Sequence, residues 1–367
     1  MLLSAYSPQT IPVNQKKKKL LHIEFLRIIC IWLVMFTHTA TSGFSIYIPM
    51  QHSIWFPLYL LVPFIVKISV PIFFMISGAL LLQKEEPISV VLKKRVWRFI
   101  QVLFIFSFIS YLCAYRNLNF IHFIKLLYTS HLATAYYFLY IYLGFLLMLP
   151  IWRALIKNMT NTLYVYLIAL NLFFVGCIPI FSFLLFKGSA EINYFINPLL
   201  AVSEPTFYFL IGYWIEHLLP QKVLTKKNLC KLGIAAAAGT LLAATMTWYH
   251  GVVAGGLTED ISQRFYDSFL FLNTSFVYCL ARWWFSTHTV SENTQHRLIL
   301  IGNLSFGVML FEEITRNITR PFFTSILLRY IPQLPFIDAI IWICLAFALG
   351  LAITYLLKKI PYFKHLI

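Results

Sequence analysis

Residues 20–44 read LLHIEFLRIICIWLVMFTHTATSGF. About 20 apolar residues at 1.5 Å each cross the hydrocarbon core of a bilayer, so this run is long enough to span one. Beyond its first turn, which carries His22 and Glu24, two ionisable side chains interrupt it, Arg27 and His38. Such groups are costly at membrane depth, and where they persist they mark a site. Eleven residues at about 100° each bring the helix to within roughly 20° of its starting direction. The two groups therefore share one face, with a rise of about 16 Å between them. A fixed cation near one surface and a deeper imidazole can hold an anionic donor and carry out proton transfer. Glu24 lies three residues before Arg27, within reach of it along the helix. It can orient a phosphate-binding arginine, or the pair can be an internal salt bridge that eases insertion. With His38 on the same face, the functional reading is preferred.

The rest of the chain supports a membrane setting. Hydrophobic residues make up 60% of the 367 and charged residues only 11%, whereas soluble domains carry about 25% charged residues. The chain therefore reads as an all-α, polytopic membrane helix bundle of about ten transmembrane helices. The candidate spans are 20–44, 54–82, 98–115, 133–151, 163–187, 194–216, 231–250, 265–286, 298–318 and 336–357. The second is too long for one straight helix and contains Pro57, Pro63, Lys67 and Pro71, so a break is expected near Lys67–Pro71. With both termini cytoplasmic, twenty of the twenty-nine basic residues fall inside, Lys16–Lys19 among them. Seven fall outside, including Arg316, Arg320 and Arg329. Residues 1–19 then form a basic cytoplasmic tail and 20–367 a single membrane domain. The net charge of +16 is explained by loops obeying this rule, so no nucleic-acid partner is expected. The six cysteines form no CxxC pair and read as buried apolar fillers, with no metal site expected.

Several further residues can carry chemistry. In SVPIFFMISGALLL (69–82), Ser77-Gly78 allows close backbone approach, which helix packing alone would use. In KKRVWRF (93–99), Arg95 and Arg98 share a helix face and suit a phosphate-rich ligand, although ordinary cytoplasmic charge or lipid headgroup contact also accounts for them. Glu204 and the Glu312-Glu313 pair sit near outer ends of spans, where they can orient His38 or a sugar hydroxyl, or be solvated helix ends. There is no GxSxG elbow, Walker loop or HExxH motif.

Taken in order, these segments resemble acyltransferase family 3, the integral-membrane O-acyltransferases. IEFLRIICIWLVMFTHT resembles the family's opening helix, in which ten residues separate an arginine from a histidine, here Arg27 and His38. SVPIFFMISGALL resembles its Phe-Phe-x-x-Ser-Gly segment, here Phe73, Phe74, Ser77 and Gly78. KRVWRF resembles its Arg-x-x-Arg element, and AYYFLYIYLGFLLMLPIW a segment usually reading HLWFL…P, with Tyr136-Tyr137 at its start. TFYFLIGYWI and GNLSFGVMLF resemble its late helices. The resemblance is greatest to the short branch that includes the enterobacterial common antigen O-acetyltransferase. It implies acetyl-CoA as donor and a cell-envelope glycan or lipid-linked saccharide as acceptor, in a bacterial inner membrane. His38, Arg27 and Glu24 would be catalytic. Arg95, Arg98, Phe73, Phe74, Ser77, Gly78, Tyr137, Glu204 and Glu312 would contact substrate. One departure is Glu312, which stands where the family's SFGIYLIH segment often has histidine. Many relatives also carry a C-terminal esterase-like domain, so transfer here is expected to be completed by the membrane domain or a partner. The alternative reading from another class is a polytopic transporter or flippase for a sugar, lipid or polysaccharide.

Overall fold

The computed structural model describes residues 20–130, 132–325 and 334–367. The basic tail 1–19 and Arg329 lie outside the described residues. The described part is helical, with no strand. Its helices are α1 (Leu21–Thr37), α2 (Phe56–Val66), α3 (Ser69–Leu81), α4 (Ile88–Tyr115), α5 (Phe120–Thr129), α6 (Tyr137–Lys157) and α7 (Asn161–Phe186). After these come α8 (Glu204–Tyr213), α9 (Lys226–Ala254), α10 (Glu259–Gln263), α11 (Leu270–Thr287), α12 (Glu292–Ser325), α13 (Pro335–Leu357) and α14 (Pro361–Leu366).

Seven of the expected spans are helices long and apolar enough to cross a membrane: Phe56–Leu81, α4, Thr134–Lys157, α7, α9, α12 and α13. The chain is a multi-pass membrane protein. The remaining three expected spans are helical but shorter or more polar. α1 has 17 residues, and α8 has 10 before a wider turn over Trp214–Leu218. α11 carries Asn273, Thr274, Ser275 and Arg282 among its apolar residues. The connection 116–132, read from sequence as an outer loop, contains α5.

The first span ends earlier than expected. The hydroxyl of Thr39 donates to the Phe36 carbonyl (2.7 Å) and accepts from the Phe44 amide (2.9 Å), which turns the chain back immediately after His38. The second span is interrupted at Lys67–Ile68, inside the expected region. Pro71 has no N–H to offer the Lys67 carbonyl, so the helical ladder loses a bond there. The cysteine expectation holds only in part. Cys30 and Cys279 are buried, whereas Cys113, Cys230 and Cys344 are exposed on outer faces.

Lipid tails are as apolar as leucine, so helices in a bilayer associate through close packing rather than through the hydrophobic effect. The crossing of α3 and α8 shows how. A Cβ on Gly78 would lie 1.7 Å from the Phe209 carbonyl oxygen, and one on Gly212 would lie 2.0 Å from that of Met75. The two backbones touch, and the helices run in the same direction, since His217 just after α8 reaches the Ala79 carbonyl near the end of α3. α1 packs against α3 and α12, and α12 also runs along α13. These four helices, together with α6, surround the space in which the ionisable residues meet.

Candidate active site

α1 presents Arg27 near its start, while His38 caps its end. Arg27 donates to both carboxylate oxygens of Glu24 (3.2 and 3.3 Å), and its side chain is 28% exposed. Glu24 is buried against Gly302 of α12, where any Cβ would lie 2.3 Å from its Oε2. Glycine at 302 is therefore what lets α12 approach this ion pair.

Arg27 opens into a cavity of about 470 Å³ at the end of the bundle where α1 begins. Lys84, Lys94, Arg95, Arg98 and Lys358 also line it, and among the described residues no Asp or Glu does. The basic residues of this cavity differ in how they are held. Glu86 accepts two hydrogen bonds from Arg95 (2.8 and 2.6 Å) and one from Arg153 (3.0 Å). The Arg95 hydrogen bond, then that of Arg153, holds the Glu86 carboxyl down at about 2 against a partial burial that raises it. Arg98 donates to the Leu366 carbonyl (3.2 and 3.0 Å), which carries no charge, so its own charge is not neutralised there.

At the other end of α1, His38 Nδ1 lies 2.7 Å from Glu312 Oε1. The same oxygen accepts from Arg316 Nε (2.5 Å), and Arg316 Nη1 donates to the His38 carbonyl (3.0 Å). Glu312 is 1% exposed and its Oε2 has no hydrogen-bond partner. A carboxylate paired with arginine can only accept, so Nδ1 carries the proton and Nε2 is left as the basic nitrogen. This is the arrangement of an acid that orients a histidine base.

Two further cavities meet at His38. A small chamber of about 50 Å³ is lined by Val34, Thr37, His38, Val70, Tyr137 and four other residues. Three of those four, Phe73, Phe138 and Met309, also line the basic cavity. On the far side, a cavity of about 520 Å³ includes Thr37, His38, Glu259, Gln263 and Arg316. Basic cavity, narrow neck and far cavity thus follow one another along α1, with His38 at the last junction. The chain also matches the acyltransferase domain family over residues 20–359. It belongs to acyltransferase family 3. No curated protein matches the chain, and neither does any solved structure.

In this acyltransferase the residues singled out from sequence divide into groups. Arg27, Arg95, Arg98, Ser77 and Phe73 meet at the basic cavity. His38 and Tyr137 line the neck, and Glu312 holds His38 from behind. Ser77 Oγ donates to the Phe73 carbonyl (2.8 Å) within its own helix. Phe74 and Gly78 line neither of these cavities. Phe74 packs against Phe138 and Phe145, and Gly78 is part of the α3–α8 crossing. Glu204 lines a separate cavity and is not the partner of His38.

Sequence reasoning passed over Lys84, Lys94 and Lys358 at the basic cavity, the Glu86 clamp, and Arg316. Arg316 had a local signal, since it stands four residues after Glu312 and can pair with it on one helix face.

Proposed function

We propose that this acyltransferase moves an acetyl group from acetyl-CoA, bound at the basic cavity, to a hydroxyl of a cell-envelope glycan or lipid-linked saccharide reaching His38 from the far cavity. The observation that carries this reading is a series of three cavities, the last two of which meet at an imidazole held by Glu312. Positive charge with no acidic side chain among the described lining residues suits the phosphates of a coenzyme. Roughly 10–15 Å³ of such volume holds one water, so a neck of about 50 Å³ admits a group of a few heavy atoms, such as acetyl. By the positive-inside bias, the basic end faces the cytoplasm of a bacterial inner membrane. No observation favours the transport reading.

The chemistry assigned to the residues follows from their positions. Arg27, Lys94 and Arg98 hold the donor, with Glu24 fixing Arg27. His38 Nε2 takes the proton of the acceptor hydroxyl as its oxygen attacks the thioester carbonyl carbon. Glu312 keeps Nδ1–H in place and stabilises the imidazolium so formed. When the tetrahedral intermediate collapses, the C–S bond breaks and His38 returns its proton to the departing thiolate. The products are the acetyl ester and free coenzyme A, with His38 neutral again.

The test is transfer of label from radiolabelled acetyl-CoA to the envelope fraction, with mass spectrometry identifying the acetylated glycan. His38→Ala should abolish transfer while the protein still inserts into the membrane. Transfer at the wild-type rate by that variant removes His38 from the mechanism.

A further inference from the structure

A cavity outside the path along α1 is larger than any of the three on it, at about 580 Å³. It lies between α7, the stretch 191–207 and the turn that follows α10. Two observations indicate that it is built to receive a ligand. Asn171 lines it and is only 4% exposed, yet its carboxamide has no hydrogen-bond partner among the described residues. Arg264 also lines it. Its Nη1 pairs with Glu191 (2.9 Å) and its guanidinium lies against Phe183 and Phe265, while its buried Nε has no partner. An amide facing a cavity offers a donor and an acceptor to whatever fills it.

The position of the cavity relates it to His38. Because α3 and α8 run parallel, with His217 just after α8 bonded to the Ala79 carbonyl near the end of α3, Glu204 at the start of α8 lies toward the same end of the bundle as Val70, which lines the neck. The stretch 259–268 forms a wall common to two cavities. Glu259, Gln263 and Tyr266 line the one at His38, and Arg264, Asp267 and Ser268 line this one.

The chemistry of the lining narrows the ligand. Glu191, Glu204 and Asp267 outnumber Arg264, so anionic ligands are disfavoured, the reverse of the basic cavity. Amide, carboxylate and hydroxyl groups alternate with the rings of Phe174 and Phe207. Directional donors and acceptors beside aromatic faces suit a ring with many hydroxyls on its edge and C–H groups on its faces. We propose that this cavity binds an uncharged saccharide and serves as a glycan subsite beside the acceptor cavity. The binding stands on the cavity itself; its role as an acceptor subsite rests on the acyltransferase reading above.

The test uses the full-length protein in nanodiscs on an array of neutral, uronate-bearing and phosphorylated oligosaccharides. Neutral oligosaccharides should be retained and acidic ones not. Asn171→Leu and the isosteric Glu204→Gln should each weaken that binding at least tenfold, with acetyl-CoA affinity unchanged. The second variant keeps the test valid if the first misfolds. Failure to bind any neutral saccharide, a preference for acidic ones, a co-purifying lipid that fills the cavity, or binding untouched by both variants would overturn the proposal. Labelled acetyl transfer separates the two readings. Saccharide binding without transfer leaves this site standing and removes the acyltransferase mechanism. Transfer to a saccharide whose binding neither variant alters does the opposite.

Discussion

Glu312→Gln tests the catalytic arrangement most directly. The substitution preserves shape, and the glutamine carbonyl can still accept from His38 Nδ1 and from Arg316 Nε, which now lie 2.7 and 2.5 Å from Glu312 Oε1. Only the negative charge is lost. The partnerless Oε2 becomes an NH₂ group. In the transition state His38 becomes cationic, with charge centres roughly 4 Å from the carboxylate. At an effective dielectric near 20 that attraction is worth about 4 kcal/mol. Arg316 repels the imidazolium equally in both proteins, so it cancels from the difference. At 1.36 kcal/mol per decade, kcat should fall about a thousandfold. The assay is the initial rate of label transfer from acetyl-CoA at saturating acceptor, on protein whose monodispersity in detergent matches wild type. Glu312 does not line the basic cavity, so the KM for acetyl-CoA should hold. A well-folded Gln variant within tenfold of the wild-type rate would refute the view that this carboxylate stabilises a histidine cation.

Three more outcomes follow from the geometry. Lys94→Gln removes an exposed cation from the basic cavity, and at about 1 kcal/mol for such a contact the KM for acetyl-CoA should rise roughly fivefold with kcat spared; steady-state kinetics at two salt concentrations checks this. Phe73→Ala widens the neck, so butyryl-CoA should gain relative to acetyl-CoA in a competition assay against the wild type. The Glu86 carboxyl is held at about 2, below the free carboxylate value of roughly 4.3, so its clamp stabilises fully above that value and is lost as pH falls toward 2. Melting curves of Glu86→Gln should therefore lack that part of the acid limb, and an unchanged limb would assign the acid sensitivity elsewhere.

Much of this was legible from residues close together in sequence. Arg27 and His38 announce themselves through helical spacing within one apolar run, and the prolines around Lys67 mark the interruption of the second span. What the sequence concealed depends on distant pairings. Glu312 is 274 residues from His38, and nothing local distinguishes it from a solvated helix end. The Glu86 clamp joins a loop to two different helices, so Arg95 reads as a free phosphate ligand until that loop is seen folded back. Gly78 was ambiguous for a different reason. A small residue beside a serine serves a ligand or a neighbouring helix equally well, and only the Phe209 carbonyl against it decides for packing. Helices α1, α8 and α11 fall short of a full apolar span because they carry the polar groups or short segments that the interior uses, and a hydropathy reading cannot fix their ends.

The neck beside His38 has an electrical consequence. Val34, Val70, Phe73, Phe138 and Met309 form a collar with few polar groups, around a gap of about 50 Å³ between two much larger spaces. A hydrated ion passing through it would have to shed most of its water shell, with only Thr37, His38 and Tyr137 to replace it. On the proposed reading the collar would work as an insulator, letting an uncharged acyl group cross while the ion gradients on either side are kept. The same aromatic residue predicted to limit acyl length, Phe73, would then also limit leak, and enlarging the gap for bulkier donors would do so at the expense of the membrane's seal.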